Sequence, residues 1–115
     1  VVWRVSGRAA FEALRRGAAR GRCGPISVAF TRADSAPVPR VGYAVGRRVG
    51  HAVERNRLRR RLRAAVAELE VELLPGSYLV SASPEACGLG YEELKSKLSR
   101  AMTLANQATG KGREG

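Results

Sequence analysis

The sequence predicts a small α+β domain, with a central sheet packed by helices in the order α-β-β-α-β-α. Apolar residues recur at alternate positions in three stretches and at every third or fourth position in three others. These two periods are interleaved along a chain of 115 residues, long enough for one modest core. No internal repeat divides the chain. Residues 1–108 read as a single domain and 109–115, "TGKGREG", as a flexible tail.

Each element has its own signal. "SGRAAFEALRRG" predicts a first helix that Ser6 can cap and Gly17 can end, with Ala10, Phe11, Ala13 and Leu14 on its apolar side. "RGRCGP" breaks the chain. "PISVAFTR" alternates, with Ile26, Val28 and Phe30 against Ser27, Ala29 and Thr31, the period of a half-buried strand. "ADSAPVP" is a loop long enough to return the chain antiparallel. In "RVGYAVG", Val41, Tyr43 and Val45 oppose an all-small face that something must approach closely. A long helix follows from about Ala52 to Leu73, with Leu58, Leu62, Ala65, Val66, Leu69 and Leu73 as one stripe. "LPGSY" ends it, "SYLVSAS" is a third strand, and "YEELKSKLSRAM" a last helix with Leu94, Leu98 and Met102 inward.

Charge separates the two halves. Residues 1–63 carry sixteen arginines against Glu12, Asp34 and Glu54, a net of +13, whereas residues 64–115 carry five basic and seven acidic residues, a net of −2. Six arginines fall within the nine positions from Arg55 to Arg63. At 100° per residue, Asn56, Arg60 and Arg63 lie opposite the leucine stripe, Arg57 and Arg61 on one edge and Arg59 on the other. Like charges at i,i+4 each cost an isolated helix roughly 0.2–0.5 kcal/mol. Glu54 alone stands near enough to soften this, and Arg47 and Arg48 add to it from just upstream. A solvated face is the plain alternative; phosphate contact with counterion release accounts better for the missing counter-charges. Asn56 reads either as a specific hydrogen-bonding residue or as a brace for the helix end.

Catalytic chemistry is not legible. His51 is the single histidine, and the only cysteines, Cys23 and Cys87, stand 64 residues apart and read as reduced thiols. Glu68, Glu70 and Glu72 have the spacing of a solvated helix end, not of a metal site, and no GxxxxGK[ST] loop is present. No apolar run approaches the roughly 20 residues of a membrane span. A soluble, cytoplasmic protein that binds no cofactor itself is expected.

The stretch "RVGYAVGRRVGHAVERNRLRRRLRAAV", residues 40–66, closely resembles the signature of the bacterial ribonuclease P protein subunit: R-V-G, a basic pair, V-G-x-A-V, then R-N-R-x-[KR]-R-x-x-R on a helix. Element order agrees from roughly Gly7 to Ala108. The resemblance implies a left-handed βαβ crossover through the arginine helix, a hand rare for such units. It implies the non-catalytic protein subunit of a ribonucleoprotein endonuclease that removes the 5′ leader of precursor tRNA. The partners would be the catalytic RNA subunit, which itself requires Mg2+, and precursor tRNA, with no membrane. By position, the RNA subunit would meet Arg47, Arg48, Arg55, Asn56, Arg57, Arg59, Arg60 and Arg63. The leader would meet Phe11 and Phe30 in a cleft between the first helix and the sheet; either ring could instead be core. Departures are Gly46 for a common serine, His51 for an asparagine, and a second aromatic of the first helix replaced by Leu14 or Arg15. A structural RNA-binding module such as a ribosomal protein, and a DNA reader with its helix in the major groove, are the competing readings. Membrane-surface association is disfavoured because the core needs the helix's apolar stripe.

Overall fold

The computed structural model describes residues 3–4, 19–32, 39–70 and 73–114, for 3–4 and 109–114 the backbone alone. The predicted first helix, with Phe11, lies outside the described residues. Five strands form one mixed sheet in the order β1-β4-β5-β3-β2. They are β1 (Trp3–Arg4), β2 (Ala19–Cys23), β3 (Ile26–Arg32), β4 (Arg40–Ala44) and β5 (Gly76–Ala82). Helix α1 (Ala52–Glu68) joins β4 to β5, and helix α2 (Tyr91–Glu114) follows β5.

The three predicted strands form, and β2 is a fourth where a chain break was expected. Gly24, at φ +59°, and Pro25 make a two-residue hairpin turn whose first position demands the left-handed conformation that glycine adopts freely. β2 was hidden because its inward residues are small. A Cβ on Gly21 would lie 2.2 Å from the Ala101 carbonyl oxygen and 2.5 Å from the Ala105 nitrogen. The strand therefore has a bare backbone where α2 crosses it, and so no hydrophobic alternation to read.

The loop expected after β3 lies outside the described residues; β4 runs opposite to β3, yet the two are not neighbours. β5 lies between them, antiparallel to β3 and parallel to β4. The parallel pair requires a crossover, and α1 is that crossover. Strand parity then sorts the side chains. Ile26, Val28, Phe30, Val41, Tyr78 and Val80 share the face that packs against Leu58 and Leu62 of α1 and Leu94 and Leu98 of α2, each of these ten residues at most 2 % exposed. Burying side chains of this size contributes about 1.5–3 kcal/mol apiece.

Both helix ends differ from expectation. α1 stops at Glu68, not Leu73: the Leu69 N–H is shared between the carbonyls of Ala65 and Val66, both at 3.1 Å, and tightens the last turn. No basic residue stands in that turn, so Glu68 meets the negative end of the helix dipole and draws its positive partner, Lys95, from α2. The C-terminal helix continues to Glu114, where a tail from 109 was expected. Its earlier turns are anchored on β2 and β3, and an anchored helix propagates more easily than it nucleates.

Candidate nucleic-acid interface

The basic surface begins in a 3-10 turn, Arg47–Val49, that Gly50 alone separates from His51, the cap of α1. Val49 is buried and pins this turn to the core, while Arg47 and Arg48 point to solvent. His51 caps α1 through its backbone: its N–H donates to Glu54 Oε1 at 3.2 Å, and its carbonyl accepts from the Arg55 N–H at 2.9 Å. The one carboxylate inside the arginine segment is thereby engaged at the helix start and pairs with no guanidinium among the described residues.

Along α1 the arginines divide by burial. Arg57, Arg60 and Arg63 are exposed, as is Asn56; Arg55, Arg59 and Arg61 are half-buried along the edges of the stripe. Arg59 donates from Nη1 to Asn56 Oδ1 at 2.8 Å and from Nη2 to the Val45 carbonyl at 3.2 Å. Arg61 donates from Nη2 to the Leu89 carbonyl. The Arg63 guanidinium lies 5.8 Å from the centre of the Tyr43 ring, a cation-π distance. Burial pushes the Tyr43 phenol up to about 12, against the opposing pull of Arg63, so the ring stays neutral under physiological conditions. Arg55 Nε is buried and meets no acceptor among the described residues.

No ion pair among the described residues engages the arginines of this surface. The pairs that do form, Lys95–Glu68 at 3.1 Å and Lys95–Glu92 at 3.7 Å, lie at the far end of α1 and on α2. Glu68 also accepts from the Tyr91 hydroxyl, and these two hydrogen bonds hold its carboxyl below the usual range. The opposite ends of α1 thus have opposite designs: one tied by paired charges, the other left with a surplus of one sign. Val53, 77 % exposed, sits within that surplus one turn before Arg57, the only large apolar side chain so exposed among the described residues.

The eight residues assigned to an RNA subunit by position all lie on the 3-10 turn and the first four turns of α1, six of them exposed and Arg55 and Arg59 half-buried. Asn56 and Arg59 meet each other, which the i,i+3 spacing could have indicated. The tether from Arg61 spans 28 residues and carried no local signal. Phe30 takes the core position that the sequence left open as its alternative. It is 1 % exposed and stacked on Tyr78, with ring centroids 4.5 Å apart. Strand parity turns it toward α1 and α2; Ala29 and Thr31 occupy the other side of β3. Among the described residues no three His, Cys, Asp or Glu side chains gather as metal ligands would, and no helix is long and apolar enough to cross a membrane.

Comparison with known proteins matches residues 2–106 to the family described as Ribonuclease P. The ribonuclease P protein component of Thermobifida fusca is 39 % identical over 116 residues, covering 93 % of this chain and 78 % of its own length. That of Thermus brockianus is 43 % identical over 100 residues, 85 % of this chain but only 57 % of its own length. The RNase P protein of Staphylococcus aureus superposes with a TM-score of 0.81 over 90 % of this chain and 94 % of its own; at 19 % identity it speaks for the fold alone.

Proposed function

Since the chain belongs to the ribonuclease P protein family, we propose that it acts as the protein subunit of that ribonucleoprotein. In this reading it binds the catalytic RNA subunit and the 5′ leader of precursor tRNA, and so assists endonucleolytic removal of the leader in the cytoplasm. One observation carries the reading: the arginines of the 3-10 turn and α1 have no carboxylate partner among the described residues. Among the described residues folding leaves this repulsion unrelieved by any carboxylate, and an external polyanion would relieve it.

Arg47, Arg48, Arg57, Arg60 and Arg63 face outward and are the phosphate ligands of the proposal, with Arg55 beside them. Each neutralised phosphate releases counterions, so affinity comes with a steep salt dependence. Bond scission and the Mg2+ it requires belong to the RNA subunit. The protein's part is to hold the substrate in register. Leader contact is proposed for Phe11, whose ring could stack on a base for about 1–3 kcal/mol. Phe30 supports the sheet from beneath, as its burial against Tyr78 implies.

The test is cleavage of precursor tRNA at low Mg2+ by the RNA subunit alone and with the protein added. Marked stimulation by the protein is expected. Absence of stimulation, joined with co-sedimentation on ribosomal particles and no preference for a 5′ leader, would replace this reading with a structural RNA-binding role.

A further inference from the structure

Two arginines of α1 differ from the rest in what their guanidiniums touch. Arg59 reaches backward over one edge of the helix, and its two terminal nitrogens are occupied by Asn56 Oδ1 at 2.8 Å and the Val45 carbonyl at 3.2 Å. Arg61 reaches over the other edge to the Leu89 carbonyl. Both are half-buried, in contrast to exposed Arg57, Arg60 and Arg63. Val45 lies, with Gly46, between β4 and the turn that holds Arg47 and Arg48; Leu89 lies between the 3-10 segment Pro84–Gly88 and α2. The two connectors also touch each other, through Cys87 Sγ and the Val49 carbonyl at 3.8 Å.

We propose that Arg59 and Arg61 are positioning residues and not phosphate ligands, and that Asn56 serves Arg59 and not the RNA. Together they bolt the first turns of α1 to the connectors on either side, so that Arg47 and Arg48 on the turn and Arg57, Arg60 and Arg63 on the helix present one rigid array. The function of that array rests on the reading above; the tethers themselves do not. The geometry explains why a short amide sits among guanidiniums. Asn56 accepts one N–H of Arg59 while its neighbour Val45 accepts another, and this two-point grip requires arginine's planar fork. Lysine keeps the charge but cannot span both acceptors from one nitrogen in the same plane.

Conservative exchange separates the two roles. Arg57→Lys and Arg60→Lys should keep affinity for the RNA subunit within about threefold, because an exposed lysine still neutralises a phosphate as a point charge. Arg59→Lys should weaken it about tenfold, the scale of a lost charge-assisted hydrogen bond, with the slope of log affinity against log salt unchanged. Asn56→Ala should reproduce the Arg59→Lys loss without altering any charge, and the double variant should lose no more than either single one. Circular dichroism and urea midpoints of each free variant distinguish loss of the tether from loss of the fold. A tether also predicts, in the free protein, slowed exchange of the Arg59 guanidinium protons that Asn56→Ala abolishes. Wild-type affinity in Arg59→Lys, or a salt slope flattened by Arg59→Gln as much as by Arg57→Gln, would make Arg59 a phosphate ligand and overturn the proposal. If the free protein shows the tether but the wild type does not bind the RNA subunit, the functional reading fails and the tether stands.

Discussion

At the scale of single residues, identity alone decided less than environment. Seven side chains of one type, Arg47, Arg48, Arg55, Arg57, Arg59, Arg60 and Arg63, entered as a uniform cationic set, and only burial and hydrogen bonding sorted them. For the exposed members the prediction is electrostatic. Arg57→Ala or Arg60→Ala should weaken binding to the RNA subunit and reduce the salt slope by about one contact each, as measured by titration at several salt concentrations; an unchanged slope would mean these side chains face only solvent in the complex. Phe30 makes the complementary case. Its burial and its stacking on Tyr78 predict that Phe30→Ala costs about 3–5 kcal/mol of folding stability, read from urea denaturation. Its effect on precursor and mature tRNA should be equal once the folded fraction is matched, whereas Phe11→Ala should weaken precursor binding more.

At the scale of elements, close approach of backbones is what the sequence concealed. β2 exists because glycine at 21 lets α2 settle on the strand, and the contacts in the way of a side chain there are backbone atoms that cannot rotate aside. Gly21→Ala should therefore cost about 1–3 kcal/mol through overpacking. Gly46, beside the arginine turn, has open space where its Cβ would go. Gly46→Ala should be neutral or stabilise by about 0.4–1 kcal/mol, because it lowers the entropy of the unfolded chain. Thermal melts of the two variants check the contrast; equal shifts would mean that α2 can move off β2 without cost. The helices themselves were legible from their leucine stripes. Their ends were not, since fraying, capping and anchoring depend on partners outside the helix.

At the scale of the whole molecule, charge is segregated along α1, and pH and salt act on different ends of it. Glu68, bonded by Tyr91 and Lys95, has its carboxyl lowered from the ordinary 4.5, and Lys95 has its ammonium raised from 10.5 by Glu68. The contribution of Glu68 is therefore present above its ordinary value and lost as pH falls through the lowered one. That of Lys95 is present below its ordinary value and lost as pH rises through the raised one. The urea midpoint of Glu68→Gln should sit below wild type by a constant amount around neutral pH and converge with it in acid, as pH falls through the lowered value. Salt acts on the other end with two signs. Raising ionic strength should stabilise the free protein, by screening repulsion among unpaired arginines, while weakening its complex with RNA. Free-protein stability that fell with salt would reveal hidden attractive pairs.

Read by itself, the sequence determined the α+β class, three of the strands, the two leucine-striped helices and the side of α1 that carries charge. Each of these follows from periodicity, and periodicity is a local property of the chain. It also carried the family signature from Arg40 to Val66, and with it the expectation of an RNA partner. Only tertiary structure decided that β5 separates β3 from β4, that Ala19–Cys23 is a strand, that Phe30 faces the helices, and that Arg59 and Arg61 are held by backbone carbonyls. Those outcomes depend on which segments meet across 14 to 28 residues of intervening chain or more, and a carbonyl acceptor leaves no trace in residue type.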